Sequence, residues 1–553
     1  MKATLCREAV CIVSLALAAH LCFSWIGFNP TDDGYFLAIS RRLLDGQIPH
    51  RDFIAHTTFL SSLLHVPAVA LGGEHTFWLS RLCIWLELST IAWGWMHIIC
   101  HALQQRVALT ERVCMALLAL GLGVHTVQIT LWPAVDGLTL ATLGLILRII
   151  APEVGSVLGY LLIGCTYLCK QSFLPFVPFM LLLFGDWRRL PRLAAAVLPG
   201  AMYLTYLAAN NAMDDALLQL FLARRGPVSD MIYTGLQTYA VAWPFPCGIL
   251  LGLGSVYLIT GRPLRGKRWC MLGSALLLAS IAGTSVVVLM QPSHSALAFM
   301  GLFGVSLGVW LALHMWHRHH QLGMAGALVL VLAWCASLSY GENNPGFAVG
   351  ALSLFLLGCL RVLTVESLPE ARWRLAVWAL SCIVIPVIVV ARYEHPDGDR
   401  RAGDLLYALD GVLPGAAGIY TNVNTYRYLV DLSVAIQRVD GPYAVLRDNS
   451  AVWIVNAQAN PLSADWIETL DGGVARPGGF AGNPLLARVI GNIDHQRGTL
   501  AIILQKVEAG PVFLRFEPLQ VHTPARTMSE AVVAHVRHTL VKVDETKFFD
   551  IYR

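Results

Sequence analysis

Two adjacent carboxylates, Asp32 and Asp33, stand between the first apolar block of the chain and a helical pattern. Within that pattern Phe36, Ile39 and Leu43 share one face, which predicts an amphipathic helix suited to the membrane interface. An aspartate here can cap the helix, because it accepts hydrogen bonds from free N–H groups and suits the positive end of the helix dipole. It can equally be an ionised base held in place for proton transfer. Both readings can hold, since one aspartate can cap while the other faces a cavity.

Cations that could hold an anionic group occur at three further places. Arg51 follows the helix, Lys170 lies at the outer end of a predicted span, and Arg224 and Arg225 follow an amphipathic run. Each has a structural alternative. Arg51 can pair with Asp52 and brace the loop, Lys170 can extend its charged end to the interface, and the arginine pair can be solvated or bind lipid headgroups.

Other polar residues are candidates for acceptor or metal contacts. Asp136 lies at an outer tip between two predicted spans, where it could contact an acceptor or a metal, or be an ordinary turn or helix-cap residue. His56, His65 and His294 also lie at outward positions, but their spacing predicts no metal site. No cofactor is therefore assigned, and a divalent metal stays open.

The elements that must position these residues are membrane helices. The chain has 553 residues and a mean hydropathy of +0.60, and only 13% of its residues are charged, against about 25% in soluble proteins. The apolar residues form blocks long enough to cross a bilayer, which predicts about thirteen spans. We expect them at 9–28, 77–99, 113–131, 134–150, 154–168, 173–186, 193–209, 233–259, 269–290, 295–315, 322–339, 346–363 and 374–391. The short apolar segment 58–72 is expected to be re-entrant or interfacial.

Loop charges predict the orientation. With a cytoplasmic N-terminus, the inner loops carry arginine and lysine, for example Arg188, Arg189 and Lys267, while the outer loops are acidic. This orientation puts the C-terminal region, residues 392–553, on the outer face. The high alanine, glycine and arginine content suggests a GC-rich bacterium, and no basic run suggests nucleic-acid binding.

The C-terminal region reads as a small α/β domain. Buried strands are predicted at Ile419–Thr421, Val452–Val455 and Leu500–Leu504, and the last residues, 539–553, alternate like a closing hairpin. Helices are predicted around Leu405–Leu409 and Tyr426–Ile436. The remaining membrane region, residues 1–391, includes a first loop of residues 29–76.

The segment from Asp32 to Phe53 resembles the first outer loop of the GT-C superfamily of membrane glycosyltransferases. It is most similar to the bacterial branch related to protein O-mannosyltransferases and lipid A aminoarabinose transferases. The matching residues are Asp32, Asp33, Gly34, Tyr35, Arg41, Arg42, Leu43, Leu44, Gly46, Pro49, Arg51, Asp52 and Phe53. Asp33 replaces the usual glutamate and His50 the usual tyrosine. Lys170-Gln171 and Tyr340–Pro345 are weaker matches.

The resemblance implies a GT-C-like catalytic membrane region that transfers a sugar from a polyprenyl phosphate to a hydroxyl, with inversion at the anomeric carbon. The acceptor would be a glycan, lipid or protein of the cell envelope. Asp32 is the candidate base, and Asp33 is its neighbour or the base itself. The phosphate would be held by Arg51, Lys170, Arg224 and Arg225, and the acceptor or supporting residues would be Tyr35, Asp52, His56 and Asp136. By analogy, the C-terminal region would cover the site or grip the acceptor.

Two other functions fit the same pattern. A transporter or flippase of lipid-linked saccharides would show inverted repeats and helices broken near the midplane, which the sequence does not show. A non-catalytic envelope scaffold would keep its function without Asp32 or Asp33.

Overall fold

The structure of the chain is a computed structural model. It describes residues 2–104, 107–124, 129–222, 308–337, 348–364, 369–394, 396, 399–447, 449–471, 482–509 and 516–553. The predicted spans 233–259 and 269–290, most of 295–315, and the candidates Arg224, Arg225 and Tyr340–Pro345 lie outside these residues.

Helices make up most of the described part of the membrane region. Its first eleven helices are α1 (Lys2–Phe23), α2 (Tyr35–Leu44), α3 (Leu60–Leu64), α4 (Val66–Gly72), α5 (Thr76–Ala102), α6 (Leu109–Val124), α7 (Pro133–Ile150), α8 (Val154–Cys169), α9 (Phe176–Leu183), α10 (Leu190–Ala209) and α11 (Met213–Leu217). Residues 308–318 are also helical, and α12 (His320–Ser337), α13 (Val349–Thr364) and α14 (Glu370–Glu394) follow.

Five helical stretches among the described residues are long and apolar enough to cross a membrane. They are Leu60–Ala102, Pro133–Ile150, Leu190–Ala209, His320–Ser337 and Glu370–Glu394. Helices α8 and α13 and the stretch Gln171–Leu183 are apolar but shorter. The chain is therefore a helical membrane protein. The predicted first span, 9–28, differs from the helix found, because α1 ends at Phe23.

Helices α1 and α5 run antiparallel, and polar contacts join them at both ends. At one end Glu8 accepts a hydrogen bond from Trp93 Nε1 of α5 at 2.7 Å, and another from Arg112 of α6 at 3.0 Å. At the other end Arg81 donates to the Ser24 carbonyl oxygen at 2.9 Å. Small residues allow close helix packing elsewhere, since a Cβ at Gly144 of α7 would lie 2.7 Å from the Gly159 oxygen of α8.

The C-terminal region contains eight short strands and three helices within its described residues. The strands are β1 (Tyr407–Ala408), β2 (Tyr420–Thr421), β3 (Tyr443–Leu446), β4 (Ala501–Gln505), β5 (Val507–Ala509), β6 (Phe516–Pro518), β7 (Lys542–Glu545) and β8 (Phe549–Tyr552). The helices are α15 (Val423–Gln437), α16 (Pro484–His495) and α17 (Met528–Thr539). The main sheet has the order β3-β4-β8-β7, in which only the β3–β4 pair is parallel.

Several sequence predictions for this region are confirmed, and two are wrong. The strands near 420 and 502, the helix near 430 and the closing hairpin β7–β8 are present. The apolar run Val452–Val455 is not a strand, because Ser450–Trp453 forms a buried 3-10 turn. The stretch Leu405–Leu409 is not a helix and instead contains strand β1.

Candidate functional site

Helix α2 begins directly behind the two aspartates, as predicted. Its N-cap residue is Gly34, which has no side chain to accept a hydrogen bond from the free N–H groups of the first turn. The backbone of Asp32 contributes there, because its carbonyl oxygen accepts from Tyr35 N at 3.3 Å. The two carboxylates also bind groups outside the helix.

The Asp33 carboxylate forms a buried ion pair with Arg81 of α5. Arg81 Nη2 lies 3.1 Å from Asp33 Oδ2, and both side chains are only 3% exposed. The same oxygen accepts from Asn29 N at 3.0 Å. Arg81 also donates to backbone oxygens of Ser24 and Gly27. Such an enclosed pair is costly to break, because removing either partner leaves a buried charge uncompensated.

The neighbouring Asp32 side chain is half-buried. Its Oδ2 accepts a hydrogen bond from Asn29 Nδ2 at 2.8 Å, and Asn29 Oδ1 in turn accepts from Thr31 N and Oγ1. One loop segment therefore fixes both carboxylates. Asp33 is enclosed by protein, whereas Asp32 is the more accessible of the two.

The C-terminal region packs directly over this segment. A Cβ on Gly34 would lie 2.2 Å from the backbone nitrogen of Ala451, so only glycine permits this approach. The Tyr35 ring, a candidate supporting group, is buried edge-on against Trp466, with centroids 5.1 Å apart. Helix α2 lies between the two regions, with seven of its ten residues buried. Its expected place in the membrane interface stays a prediction.

Charged side chains of both regions stabilise the contact between the C-terminal region and helix α2. Arg42 of α2 makes a two-pronged ion pair with Asp465, with N–O distances of 2.7 and 2.9 Å, and these side chains are 5% and 2% exposed. Arg488 of α16 donates to the backbone oxygens of His50 and Arg51. Such planar, bidentate pairing fixes orientation as well as distance.

The candidates Arg51 and Asp52 bind each other. Arg51 Nε and Nη2 lie 2.8 and 3.1 Å from the Asp52 carboxylate oxygens, and Arg51 is 43% exposed. The Arg51 hydrogen bond lowers the pKa of Asp52. Asp52 also accepts from Ile48 N at 2.7 Å. The alternative in which this pair braces the loop is the arrangement found.

Lys170 is buried, with 9% of its surface exposed. Its ammonium donates to the Ala336 carbonyl oxygen at 2.9 Å, next to the last described residue of α12. The next residue, Gln171, donates to the backbone oxygen of the buried candidate His56 at 3.0 Å. Lys170 therefore joins α12 to the segment that contacts the first loop.

His50, which stands where the resemblance has a tyrosine, forms a buried network. Gln219 Oε1 lies 2.9 Å from His50 Nδ1, and Tyr203 OH lies 3.0 Å from Nε2. Gln219 Nε2 donates to the His50 carbonyl oxygen, so Oε1 is an acceptor and Nδ1 carries the proton. Burial lowers the pKa of His50 to about 4. The imidazole is therefore neutral near pH 7.

A second polar cluster unites His65, Glu87 and Asp136. His65 lies between α3 and α4, Glu87 is inside α5, and Asp136 lies in the first turn of α7. His65 Nε2 lies 3.0 Å from Asp136 Oδ1 and 3.4 Å from Glu87 Oε1. Ser61 Oγ donates to the other oxygen of Asp136. The three residues offer ligand atoms within 4.8 Å of one another.

This cluster corrects two expectations. Histidine spacing predicted no metal site, yet His65 has two carboxylates beside it, because helices distant in sequence bring them there. Asp136 is neither a turn residue nor a cap, since α7 begins at Pro133 and Trp132 provides no side-chain cap. Glu87 and Arg81 were not among the predicted site residues. The sequence did contain a signal for both, because a charged residue inside an apolar span is a functional candidate by default.

Comparison with known proteins adds no assignment. No protein-family model matches the chain, and neither a curated protein nor a solved structure is detectably similar to it.

Proposed function

We propose that this protein is a glycosyltransferase of the GT-C type. It would move a sugar from a polyprenyl phosphate to a hydroxyl of a cell-envelope glycan, lipid or protein, on the outer face of a bacterial plasma membrane. One observation carries the proposal: the loop segment beside α2 holds an accessible aspartate, Asp32, next to a second aspartate fixed by a buried ion pair with Arg81.

The chemistry requires one base and charge stabilisation. The acceptor oxygen attacks the anomeric carbon, the bond from that carbon to the phosphate oxygen breaks, and the polyprenyl phosphate leaves with the bonding electrons. Since phosphate is a good leaving group, no acid partner is needed, unlike in glycoside hydrolysis. A carboxylate that accepts the hydroxyl proton contributes roughly 10²–10⁴-fold in rate. Attack from the face opposite the phosphate inverts the anomeric centre.

The surroundings of the two aspartates favour different roles. Asp33 is committed to Arg81 and to the loop backbone, so it is suited to positioning the segment. Asp32, the residue before Asp33, is only half-buried, so it is suited to accept the proton of the acceptor hydroxyl. The contact of the C-terminal region with Gly34 and Tyr35 would exclude water from this place and contribute to acceptor binding.

Phosphate binding is the second part of the proposal. Arg51 and Lys170 are already paired with Asp52 and the end of α12, so they would contribute through their charge rather than as newly formed contacts. Arg224 and Arg225, outside the described residues, complete the set proposed to stabilise the leaving phosphate.

The test is transfer of labelled sugar from polyprenyl-phosphate donors in membranes containing the wild-type chain or a variant. Asp32→Asn should lower the transfer rate roughly 10²–10⁴-fold, because the amide cannot accept the proton. Asp45→Asn is the matched control, since Asp45 ends the same helix, is 28% exposed and pairs only with Arg41 among the described residues. It should retain full transfer.

The outcomes separate the proposal from its alternatives. Full transfer by both Asp32→Asn and Asp33→Asn would contradict it. Movement of the lipid-linked saccharide across the membrane without a new glycosidic bond would indicate a transporter or flippase. If neither transfer nor movement occurs and the variants support growth normally, the protein is an envelope scaffold.

A further inference from the structure

The His65, Glu87 and Asp136 cluster has more acidic groups than basic ones. Two carboxylates face one imidazole, and both approach the same nitrogen, Nε2. One N–H group cannot make two good hydrogen bonds in different directions. Asp136 has the shorter contact and is also bonded by Ser61, whereas Glu87 Oε2 is buried and has no hydrogen bond among the residues that the structure describes.

The surroundings make this imbalance costly. His65 is 2% exposed and Asp136 is 1% exposed. Glu87 lies six positions further along α5 than Arg81, about 9 Å deeper by the helical rise. Arg81 itself is committed to Asp33 and to backbone oxygens. A buried carboxylate without a compensating cation is strongly unfavourable, so it must either take up a proton or be matched by another positive charge.

We propose that His65, Glu87 and Asp136 bind a divalent metal ion. A dipositive ion neutralises both carboxylates while the imidazole binds in its neutral form. Zinc–nitrogen and zinc–oxygen bonds of about 2.0–2.2 Å give ligand separations of about 3.3–3.6 Å in a tetrahedron. The observed separations from Nε2 to the two carboxylate oxygens are 3.0 and 3.4 Å, close to this range, and all three ligand atoms lie within 4.8 Å of one another.

The ligand types favour a transition metal over magnesium or calcium. Mg²⁺ and Ca²⁺ prefer all-oxygen sites, whereas imidazole with carboxylates suits zinc and its first-row neighbours. Three protein ligands leave a fourth position open. The Ser61 hydroxyl fixes the orientation of Asp136, as groups bonded to metal ligands commonly do. Zn²⁺ should therefore bind more tightly than Mn²⁺, with Mg²⁺ weakest.

The ion would join three elements that are separate in sequence: the junction of α3 and α4, the middle of α5 and the start of α7. Metal binding should therefore stabilise the folded chain, because the unfolded chain does not present the three ligands together. This inference does not depend on the proposed glycosyl transfer, and its tests do not measure activity.

The experiment uses the full chain, purified in detergent, stripped with a chelator and dialysed against Zn²⁺. We expect about one equivalent of tightly bound zinc per chain. Glu87→Gln, Asp136→Asn and His65→Ala should each weaken binding more than the roughly 10–100-fold expected from losing a group that supports a ligand. Ser61→Ala should fall within that smaller range.

Two matched controls test the specificity of the loss. His20→Ala removes another buried histidine, which pairs with Ser24 at 2.6 Å. Glu8→Gln removes another glutamate beside a histidine, one that Arg112 already neutralises. Neither variant should change zinc binding. Loss of binding in both controls would show that the ligand variants act through general misfolding, and the proposal would fall.

X-ray absorption of the zinc-loaded wild-type chain supplies a readout that needs no variant. The proposal requires nitrogen and oxygen neighbours at about 2.0–2.2 Å, with imidazole scattering. Sulfur neighbours at about 2.3 Å would assign the metal to cysteines and overturn the proposal. Binding of less than one equivalent, or wild-type affinity in all three ligand variants, would also overturn it.

Discussion

Two buried acidic sites in the membrane region differ in how their charge is compensated. Asp33 faces a guanidinium at 3.1 Å and a backbone N–H at 3.0 Å, so each formal charge has a partner. Glu87 and Asp136 share one imidazole nitrogen, and an oxygen of Glu87 is buried without a hydrogen bond in the described part of the chain. The first site is balanced within the protein alone, whereas the second is the one that we propose takes up a cation.

The two sites also differ in where their charged residues stand in the sequence. The aspartates stand side by side in a loop that the C-terminal region covers, which suits a reactive group near substrate. The second site is assembled from a helix junction and two long helices, which suits a rigid ligand set. Disturbing the two sites should therefore have opposite consequences for stability.

The largest effect should come from breaking the balanced pair. Arg81→Met leaves Asp33 buried without its cation, which should cost about 3–5 kcal/mol of unfolding free energy. The measurement is thermal unfolding of the purified chain in detergent. Adding Asp33→Asn to Arg81→Met should recover part of the loss, because the second change removes the uncompensated charge. A double variant no more stable than Arg81→Met would contradict the assigned pairing.

Glu87→Gln provides the opposite test in metal-free protein. Because this carboxylate lacks a full partner there, its neutralisation should leave the unfolding temperature unchanged or raise it. In the presence of zinc the same variant should be less stable than the wild type, since it loses the stabilisation that binding gives. A loss as large as that of Arg81→Met in metal-free protein would show that Glu87 is compensated without an ion.

Acid should destabilise the folded chain through a third buried polar group, His50. The unfolded chain protonates this histidine below about pH 6.5, whereas burial lowers its pKa to about 4 in the folded chain. Between these values the unfolded state binds more protons, so stability falls as the pH falls, by about 3 kcal/mol at most. Thermal unfolding followed from pH 7 to pH 4 measures this loss.

His50→Leu isolates this contribution. The variant should be less stable at pH 7, because Tyr203 and Gln219 lose a partner. It should also lose less stability than the wild type between pH 6.5 and pH 4. Equal acid sensitivity in the two proteins would mean that His50 is not held neutral.

The helices were easier to predict than their assembly. Apolar length alone predicted α7, α8 and α10 to within a few residues, because a membrane helix satisfies its backbone hydrogen bonds internally. The strand predicted at Val452–Val455 failed because a short apolar run has no period that distinguishes a strand from a buried turn. The local structure of this run depends instead on tertiary packing, because Ala451 packs against Gly34.

The candidate site was predictable only where it is local. Asp32, Asp33 and the following helix stand together in the sequence, and the structure keeps them together. The partners of Asp33 and Asp136 come from other helices, so no spacing could reveal them. Arg81 and Glu87 were detectable as charges within an apolar block, but their pairing depends on how α5 packs.

The smallest expected effect concerns the contact that covers the aspartates. Gly34→Ala adds a methyl group at a point 2.2 Å from the Ala451 nitrogen and 2.4 Å from its Cα. Since these are backbone atoms, shortening the Ala451 side chain would not relieve the clash. The C-terminal region must shift, at a cost of about 1–3 kcal/mol. Limited proteolysis of the junction and thermal unfolding would measure the change.

Gly491→Ala is the matched control, because Gly491 lies inside α16 and an added Cβ there meets no atom within 4 Å. Alanine also favours a helix over glycine by about 1 kcal/mol, so this variant should be slightly more stable than the wild type. If Gly34→Ala keeps wild-type stability and protease resistance, the C-terminal region does not pack on the first loop as described. Asp32 and Asp33 would then be open to water, and their environment would no longer distinguish them from the surface pair Arg41–Asp45.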